Sequence, residues 1–573
     1  MVPFNSSFFQ IRPAMKINKL QNPSALLVVI PLLIYLFYSI SYITLIGLNY
    51  DEAIFVNAAL GGINDELIFK RIFGIPFMVL PDQGAIKSYL YYPIFKLFGV
   101  NVLSIRIPSI LLSAATLFLW FKMANKILRN NYLSVLFIML LATDPAYILH
   151  TKIDTSPVAI QNFLMVLTLY CYQSSFEQKG IFNISVCCFA IIFGLINKIN
   201  FIWFSLAFCY VVVLYNRDHI FMLYKQNRSK FAALLVFFIT ALTLITALLI
   251  IPPALHYPIG GMTQTKLSEK IFFVINLYLQ SLDGAWRYQS IFQKPLVTFF
   301  TTPSIVNSIE ISCMILWLAS VGYVRFAKIN NETYQQYKKA ISFFLMLFII
   351  EFMFMLFTPH TYTPGHVMVL WPLPHFLFIL MLAAIASLFH RSVVVLVVSQ
   401  LPTIAVIFSQ CCVNHAYNVA FSDPKSYRNL IWSPVIYQLS EFVNQESSAF
   451  DNVISVDAGT QIQLFALAKN NKERLKFHEF WFLFTDVDYI RQCVLFASPT
   501  FNRDDAVNQQ WVYDNYYKGK RNLIVMLTTD ELRHHAKKHF IDFTVKHHIQ
   551  LKPVTTIADA RGKATYSLFI ATG

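Results

Sequence analysis

Acidic side chains stand at the ends of apolar runs in this chain, where chemistry at a membrane surface would place them. Asp51 and Glu52 come directly after the first long apolar run, and Asp154 closes the short segment His150-Thr-Lys152-Ile-Asp154 between two later runs. A carboxylate in such a position can take a proton from an attacking hydroxyl, hold a divalent metal ion or bind sugar hydroxyls. Asp51-Glu52 is equally what opens a surface helix, whose N-terminal dipole favours acids. Basic groups accompany the acids: Lys87, Lys152, Lys198, His360 and His366 all lie between apolar runs. Cations facing an outer cleft suit a phosphate anchored to lipid, although a lysine at a membrane surface also reaches toward headgroups. Glu310 and Glu351 fall inside apolar runs and need partners there. Glu351, about one turn from the outer end of its run, is placed to join the site; His256, Arg287 and His375 read as structural.

The elements that must position these groups are membrane helices. Of 573 residues, 56% are hydrophobic and only 13% charged, against roughly 25% charged in an average globular chain. A bilayer core needs about 20 apolar residues per helix. Apolar runs lie near 25–48, 104–121, 132–149, 157–173, 181–196, 200–215, 231–251, 304–324, 340–357, 367–389 and 392–412. They predict a polytopic α-helical membrane protein with about 11 transmembrane helices. The first run exceeds a signal-peptide core and lacks a small-residue cleavage motif, so it is read as a retained span after a cytoplasmic tail, 1–24.

Charge placement sets the expected orientation. With the N-terminus cytoplasmic, the inner connections carry Arg12, Lys16 and Lys19, then Lys122, Lys126 and Arg129, then Arg217, Lys225, Arg228 and Lys230, while the short outer loops hold little beyond Lys152 and Lys198. That is the positive-inside pattern. The net charge of +15 is therefore an orientation signal; no basic stripe interleaved with stacking aromatics suggests nucleic acid. The eight cysteines form no CxxC pair, which argues against a zinc site or a disulfide framework.

An odd number of spans leaves the C-terminal part outside. The expected organisation is a membrane module over 25–412, with outer loops 51–103 and 252–303, and then an extracytoplasmic α/β domain, 413–573. Tyr89 to Pro93 and Phe272 to Leu282 read as amphipathic helices along the membrane surface. In the last domain Val453–Gly459, Leu523–Leu527 and Tyr566–Ala571 read as strands, with helices at 431–445, 461–468 and 530–540. The Asp457-Ala-Gly459 stretch reads as a structural turn, since no GxGxxG accompanies it.

The order of these motifs resembles that of the GT-C glycosyltransferases, in the branch holding protein O-mannosyltransferases and the bacterial aminoarabinose transferase acting on lipid A. Tyr50-Asp51-Glu52-Ala53 resembles that family's first-loop acidic motif, and Lys87-Ser-Tyr-Leu90-Tyr91-Tyr92 its Lys-Pro-Pro-Leu-Tyr-Tyr segment. Leu97-Phe98-Gly99 and Arg106-Ile-Pro108-Ser109 resemble the family's next segments, and Ile148 to Asp154 its second-loop motif. Gly194-Leu195-Ile-Asn-Lys198 resembles a Gly-Leu-x-x-Lys stretch, and Pro364-Gly-His366 to Pro374 the segment where Arg-Tyr-x-Leu-Pro usually stands. Ser88-Tyr89 departs from the two prolines, Ile86 stands in place of a Glu, and His366-Val in place of Arg-Tyr.

The resemblance implies an inverting transfer of a sugar from a polyprenyl-phosphate donor to a lipid, glycan or protein acceptor, outside a bacterial inner membrane. It implies Asp51 as the base or acceptor-orienting carboxylate and Asp154 as its helper, either of them a candidate ligand for a divalent metal ion. It implies Lys87 and Lys198 on the donor phosphate, with Glu52, Tyr91, Lys152, His360 and His366 as further binding residues. The other classes compatible with these spans are a transporter or flippase of lipid-linked sugars and a non-catalytic, membrane-anchored binding protein.

Overall fold

The computed structural model describes residues 25–60, 70–80, 82–176, 180–247, 267–297, 305–327, 331–357, 364–389, 398–429, 432–469, 474–475, 506–528 and 536–573. His360 and His256 lie outside them. Each apolar run carries a helix. Seven helices among the described residues are long and apolar enough to cross a membrane, eight if one bent pair counts as a single span, which makes this a multi-pass membrane protein. The bent pair is Asn131–Thr143 and Pro145–Lys152, inclined at 58°. Helices Val29–Ile40 and Leu373–Leu388 are apolar but shorter, so the seven or eight fall below the eleven runs.

The chain forms two compact units, each gathered from distant stretches. The first comprises Met1–Ser41, Ser109–Gln289 and Lys294–Asn418 and holds most of the long apolar helices. Its core includes a ring cluster in which Trp120, Phe137 and Phe344 each lie 4.9–6.0 Å from Phe376. Helix Arg228–Ile245 buries only Ile245, leaving an apolar surface for lipid. Thr143, at the bend, is fixed from helix Leu401–Ser422: its hydroxyl meets Gln410 Oε1 at 2.8 Å and its carbonyl accepts from Asn414 Nδ2 at 2.7 Å.

The second unit comprises Tyr42–Pro108, Ser290–Gln293 and Val419–Gly573. Strands β1 (Lys70–Ile72), β2 (Ile75–Leu80) and β3 (Gln83–Gly84) form a small antiparallel sheet. Strands β4 (Asn452–Ser455), β5 (Arg521–Leu527), β6 (Gln550–Ala558) and β7 (Ala564–Thr572) form the main sheet in the order β4-β5-β7-β6, with β4 parallel to β5 and the other pairs antiparallel. Alternate residues along a strand face opposite sides. Val453, Leu523, Val525, Tyr566 and Leu568 therefore pack with Ile54, Phe55, Tyr91 and Leu439 on one face. Ile454, Ile524 and Met526 pack with Phe540 and Phe543 on the other. This is the α/β layering expected of the C-terminal part, but one of its faces is covered by the segment after the first apolar run. Asn57 Nδ2 donates to the Ile462 carbonyl at 3.0 Å and Gln463 Nε2 to that of Leu48 at 2.5 Å.

Three local readings change. Gly459 lies in the first turn of helix Ala458–Leu467, because Asp457 is its N-cap and accepts from the Thr460 N–H at 2.9 Å. The helix expected at 530–540 runs Ala536–Lys546, with 529–535 outside the described residues. Strand β6 was not expected; it is an exposed edge carrying Pro553 at a register shift, and both edges and bulges tolerate proline.

Candidate functional site

In the second unit, Asp51 and Glu52 open helix Tyr50–Leu60, and the two acids have different surroundings. Asn49 caps this helix through Oδ1, which accepts from the Asp51 N–H at 2.8 Å, while Glu52 Oε2 accepts from the Asn49 N–H at 3.1 Å. This reciprocal arrangement is a capping box. Glu52 is buried, and its carboxylate also takes Arg106 in a fork: Nε to Oε1 at 2.8 Å and Nη2 to Oε2 at 2.7 Å. The remaining N–H groups of Arg106 donate to the carbonyls of Ile43, Ile46 and Gly47 at 2.7–2.9 Å. All five donors of the guanidinium are thereby matched. Glu52 thus holds the turn that presents Asp51, which is half-buried. Gly47 cannot carry a side chain here, since a Cβ would run into the Ser433 carbonyl.

Lys87 and Tyr91 lie one turn apart on helix Ile86–Phe98, both buried. The Lys87 ammonium sits 5.0 Å from the Phe55 ring centre and 5.5 Å from that of Tyr91, in the range of a cation–π contact. The neighbouring Ser88 hydroxyl donates to the Phe55 carbonyl at 2.8 Å, which ties this helix to the one carrying Asp51.

In the first unit, Asp154 caps helix Val158–Ser174: Oδ1 accepts from the N–H groups of Val158 and Ala159 at 3.0 and 3.4 Å. Lys152 is buried and donates to the carbonyls of Tyr38, at 3.3 Å, and Ser41. Those bonds give it a role in fixing the end of the first helix. Lys198 is buried too and donates to the Gly365 carbonyl at 3.2 Å, while Asn200 reaches the His366 carbonyl at 3.5 Å. The Gly194–Lys198 stretch and the Pro364–His366 stretch are therefore neighbours in space. Glu351 is fully buried, and neither of its oxygens has a hydrogen-bond partner among the described residues.

Sequence reasoning missed Asp144. It lies at the break of the bent helix pair, accepts from the Tyr147 N–H at 2.8 Å and from Trp371 Nε1 at 3.1 Å, and lies 2.6 Å from His375 Nε2. The other ring nitrogen of His375 is 2.7 Å from Glu310 Oε1. Both contacts need a hydrogen, so the three side chains share two protons and carry a net charge of −1 wherever those protons reside. Tyr147 stacks on Trp371 at 3.9 Å, closing the group from the side. The signal was present as Asp144-Pro145, an N-cap and then the favoured first helical residue, inside an apolar run. His375→Gln can serve only one of the two acids and should lower stability by about 1–3 kcal/mol. Thermal unfolding of the purified protein in detergent measures this, and an unchanged midpoint would remove the bridge from the account.

Asp283 stands just after the amphipathic helix Leu267–Leu282, and its Oδ1 accepts from the Ala285 N–H at 2.9 Å. Burial pushes its carboxyl up to about 6, against the opposing effect of that backbone bond. The folded state therefore holds this proton more tightly than the unfolded chain. Asp283 should favour folding below its unfolded value, and that contribution should fall away as pH rises from about 4 through about 6. Asp283→Asn should flatten this part of the stability–pH curve and stabilise the protein at pH 7, as read by unfolding midpoints across that range.

No family model matches this sequence, and no curated protein matches it. The fold does match solved structures. ArnT from Cupriavidus metallidurans, in the apo state, superposes with a TM-score of 0.54 at 11% identity, covering 95% of this chain and 97% of that one. The same protein bound to undecaprenyl phosphate gives a TM-score of 0.53 at 10% identity over the same shares. The likeness covers 95% of this chain, so the chain shares the fold of that protein.

Proposed function

We propose that this chain is an inverting glycosyltransferase that moves a sugar from a polyprenyl-phosphate donor to an acceptor outside a bacterial inner membrane. The observation that carries the proposal is the near full-length likeness to an ArnT whose own structure holds undecaprenyl phosphate.

In this reading Asp51 orients or deprotonates the acceptor, and Asp154 assists from the loop it caps. Lys87 and Lys198 bind the donor phosphate, whose departure as polyprenyl phosphate needs charge stabilisation. A desolvated ammonium held against aromatic rings, as Lys87 is, suits such an anion. Tyr91 supports Lys87; His360 and His366 complete the donor and acceptor contacts; Lys152 fixes the end of the first helix through the Tyr38 and Ser41 carbonyls; Glu52 positions Asp51 through its bonds to Arg106 and Asn49. Among the described residues no three His, Cys, Asp or Glu side chains come together as a metal-binding group. The N-terminus lies in the cytoplasm and the C-terminal domain outside.

The test is direct. Purified full-length protein is reconstituted with undecaprenyl-phosphate sugars and a panel of envelope lipids, glycans and exported proteins. The expected result is cleavage of the sugar–phosphate bond, release of undecaprenyl phosphate and a glycosylated acceptor of inverted anomeric configuration. Movement of an intact donor across the bilayer without cleavage would overturn the reading in favour of a transporter. No turnover, with an unchanged envelope profile in a deletion strain, would leave a binding protein.

A further inference from the structure

We infer that the tip of the β1–β2 hairpin, Phe73 and Ile75, and the outward face of helix Ile86–Phe98 dip together into the lipid headgroup layer where the span Val102–Leu128 begins. They thereby fix the height of Lys87, on the reverse of that helix. The anchor stands on the geometry; only the role of Lys87 rests on the proposed transfer reaction.

The hairpin tip is apolar and stands clear of the fold. Phe73 is 99% exposed and Ile75 is exposed too, and a Cβ built on Gly74 between them would meet nothing within 4 Å. Phe73 also holds φ at 52°, left-handed backbone that glycine or asparagine adopts more readily than a bulky residue. An aromatic ring kept on such a turn, with its whole surface open, needs a receiver outside the chain.

Helix Ile86–Phe98 continues the surface. Lys87, Ser88, Tyr91 and Phe95 form its buried face, whereas Tyr89, Leu90, Pro93 and Leu97 are exposed and recur at the spacing of one helical face. Tyr92 and Lys96 edge that face, with the ammonium 5.4 Å from the ring centre; tyrosine and lysine are the side chains that mark a membrane–water boundary. The hairpin is bound to this helix. The Tyr89 hydroxyl donates to the Pro76 carbonyl, and the Ala85 N–H donates to that of Phe77 at 3.0 Å.

The chain itself says what covers this surface. Helix Val102–Leu128 is long and apolar enough to cross a membrane, and it begins four residues after Phe98, a reach of at most about 14 Å. The joint is fixed: Asn101 Oδ1 accepts from the N–H groups of Leu103 and Ser104, both at 3.0 Å, and the Ser104 hydroxyl donates to the Gly99 carbonyl at 2.8 Å. Leu97 and Phe98, 77% and 71% exposed, and Leu103 beyond them carry the apolar surface across it. Lipid therefore reaches the end of the helix, and laying the helix along the bilayer buries its exposed apolar row, as interfacial helices do. A protein partner docking here would have to displace that lipid.

The experiment places a photoactivatable benzophenone amino acid at Phe73 of the full-length protein, in vesicles of phosphatidylethanolamine and phosphatidylglycerol. Irradiation should give lipid adducts at this position by mass spectrometry. Phe73→Gly should keep the unfolding midpoint in detergent, because relief of the turn offsets the added chain entropy. It should raise the KM for an undecaprenyl-phosphate sugar in vesicles about tenfold, with kcat and the KM for a short-chain, water-soluble donor unchanged. If it fails to fold, Phe73→Asn also accepts this backbone and should show the same split. Adducts to a second copy or to another protein, or none to lipid, overturn the anchor. Lipid adducts with an unchanged KM support the anchor and overturn its link to Lys87. A wild type that turns over neither donor overturns the transfer reaction, while the adducts still decide the anchor.

Discussion

Arg106→Ala should destabilise the protein by about 3–5 kcal/mol, as expected when one partner of a buried ion pair is removed and the other is left uncompensated. Arg106 and Glu52 are 0% and 1% exposed, so water cannot replace the lost partner. The loss reaches further than the pair. Three carbonyls of the 43–47 stretch accept from the same guanidinium, and Glu52 also closes the cap that starts the Asp51 helix. A double variant, Arg106→Met with Glu52→Leu, removes both charges together and should recover the part of the loss due to the uncompensated carboxylate, while the three carbonyls and the Asn49 N–H stay unpaired. It should not recover sugar transfer, because the turn presenting Asp51 loses its fixings. Chemical or thermal unfolding in detergent, paired with transfer assays, separates the two effects. Single and double variants of equal stability would show that the pair is not coupled. Full activity in the double variant would show that the turn does not depend on it.

The apolar runs were legible because about 20 consecutive residues must satisfy lipid, and few other patterns imitate that. The helix at Ile86–Phe98 was legible from its aromatic stripe in the same way. Long-range partners were not. Arg106 stood in a motif with a known neighbour order, yet nothing in that order says it reaches back to Glu52, 54 residues earlier. The pairing of Asp144 with His375 crosses 231 residues; His375 by itself reads as structural, and nothing near Asp144 in the sequence points to it. Strand β6 escaped notice because its exposed side chains and Pro553 erase the alternation that marks half-buried strands. The hairpin of β1 and β2 turns on Phe73 and Gly74, both with positive φ; Phe73 gives no sequence signal for that conformation, which glycine normally supplies. Candidate residues could be named where charge had to be explained between apolar runs, whereas Asp144, inside such a run, went unnamed.

Asp154→Asn and Asp51→Asn should each lower the turnover of sugar transfer about 10²–10⁴-fold, the range for removing a general acid–base group, while the fold persists. The local structure makes this separation possible. Asparagine keeps an amide oxygen that can accept from the Val158 and Ala159 N–H groups, so Asp154→Asn retains these bonds while removing the charge. At Asp51 the cap belongs to Asn49, and losing one acid from the first helical turn costs about 0.3–1 kcal/mol. Unfolding midpoints should therefore move little while turnover collapses. The size of the Asp51 effect also reports on the acceptor. A hydroxyl acceptor must lose its proton as the bond forms, and without a carboxylate that step suffers the full loss. A phosphate acceptor is already anionic at neutral pH, so Asp51 would act on it only through charge and position, and the loss should be smaller and nearly independent of pH. Transfer rates of the two variants from pH 5 to 9 decide between the acceptors. Turnover at wild-type levels in both variants would remove these carboxylates from the reaction.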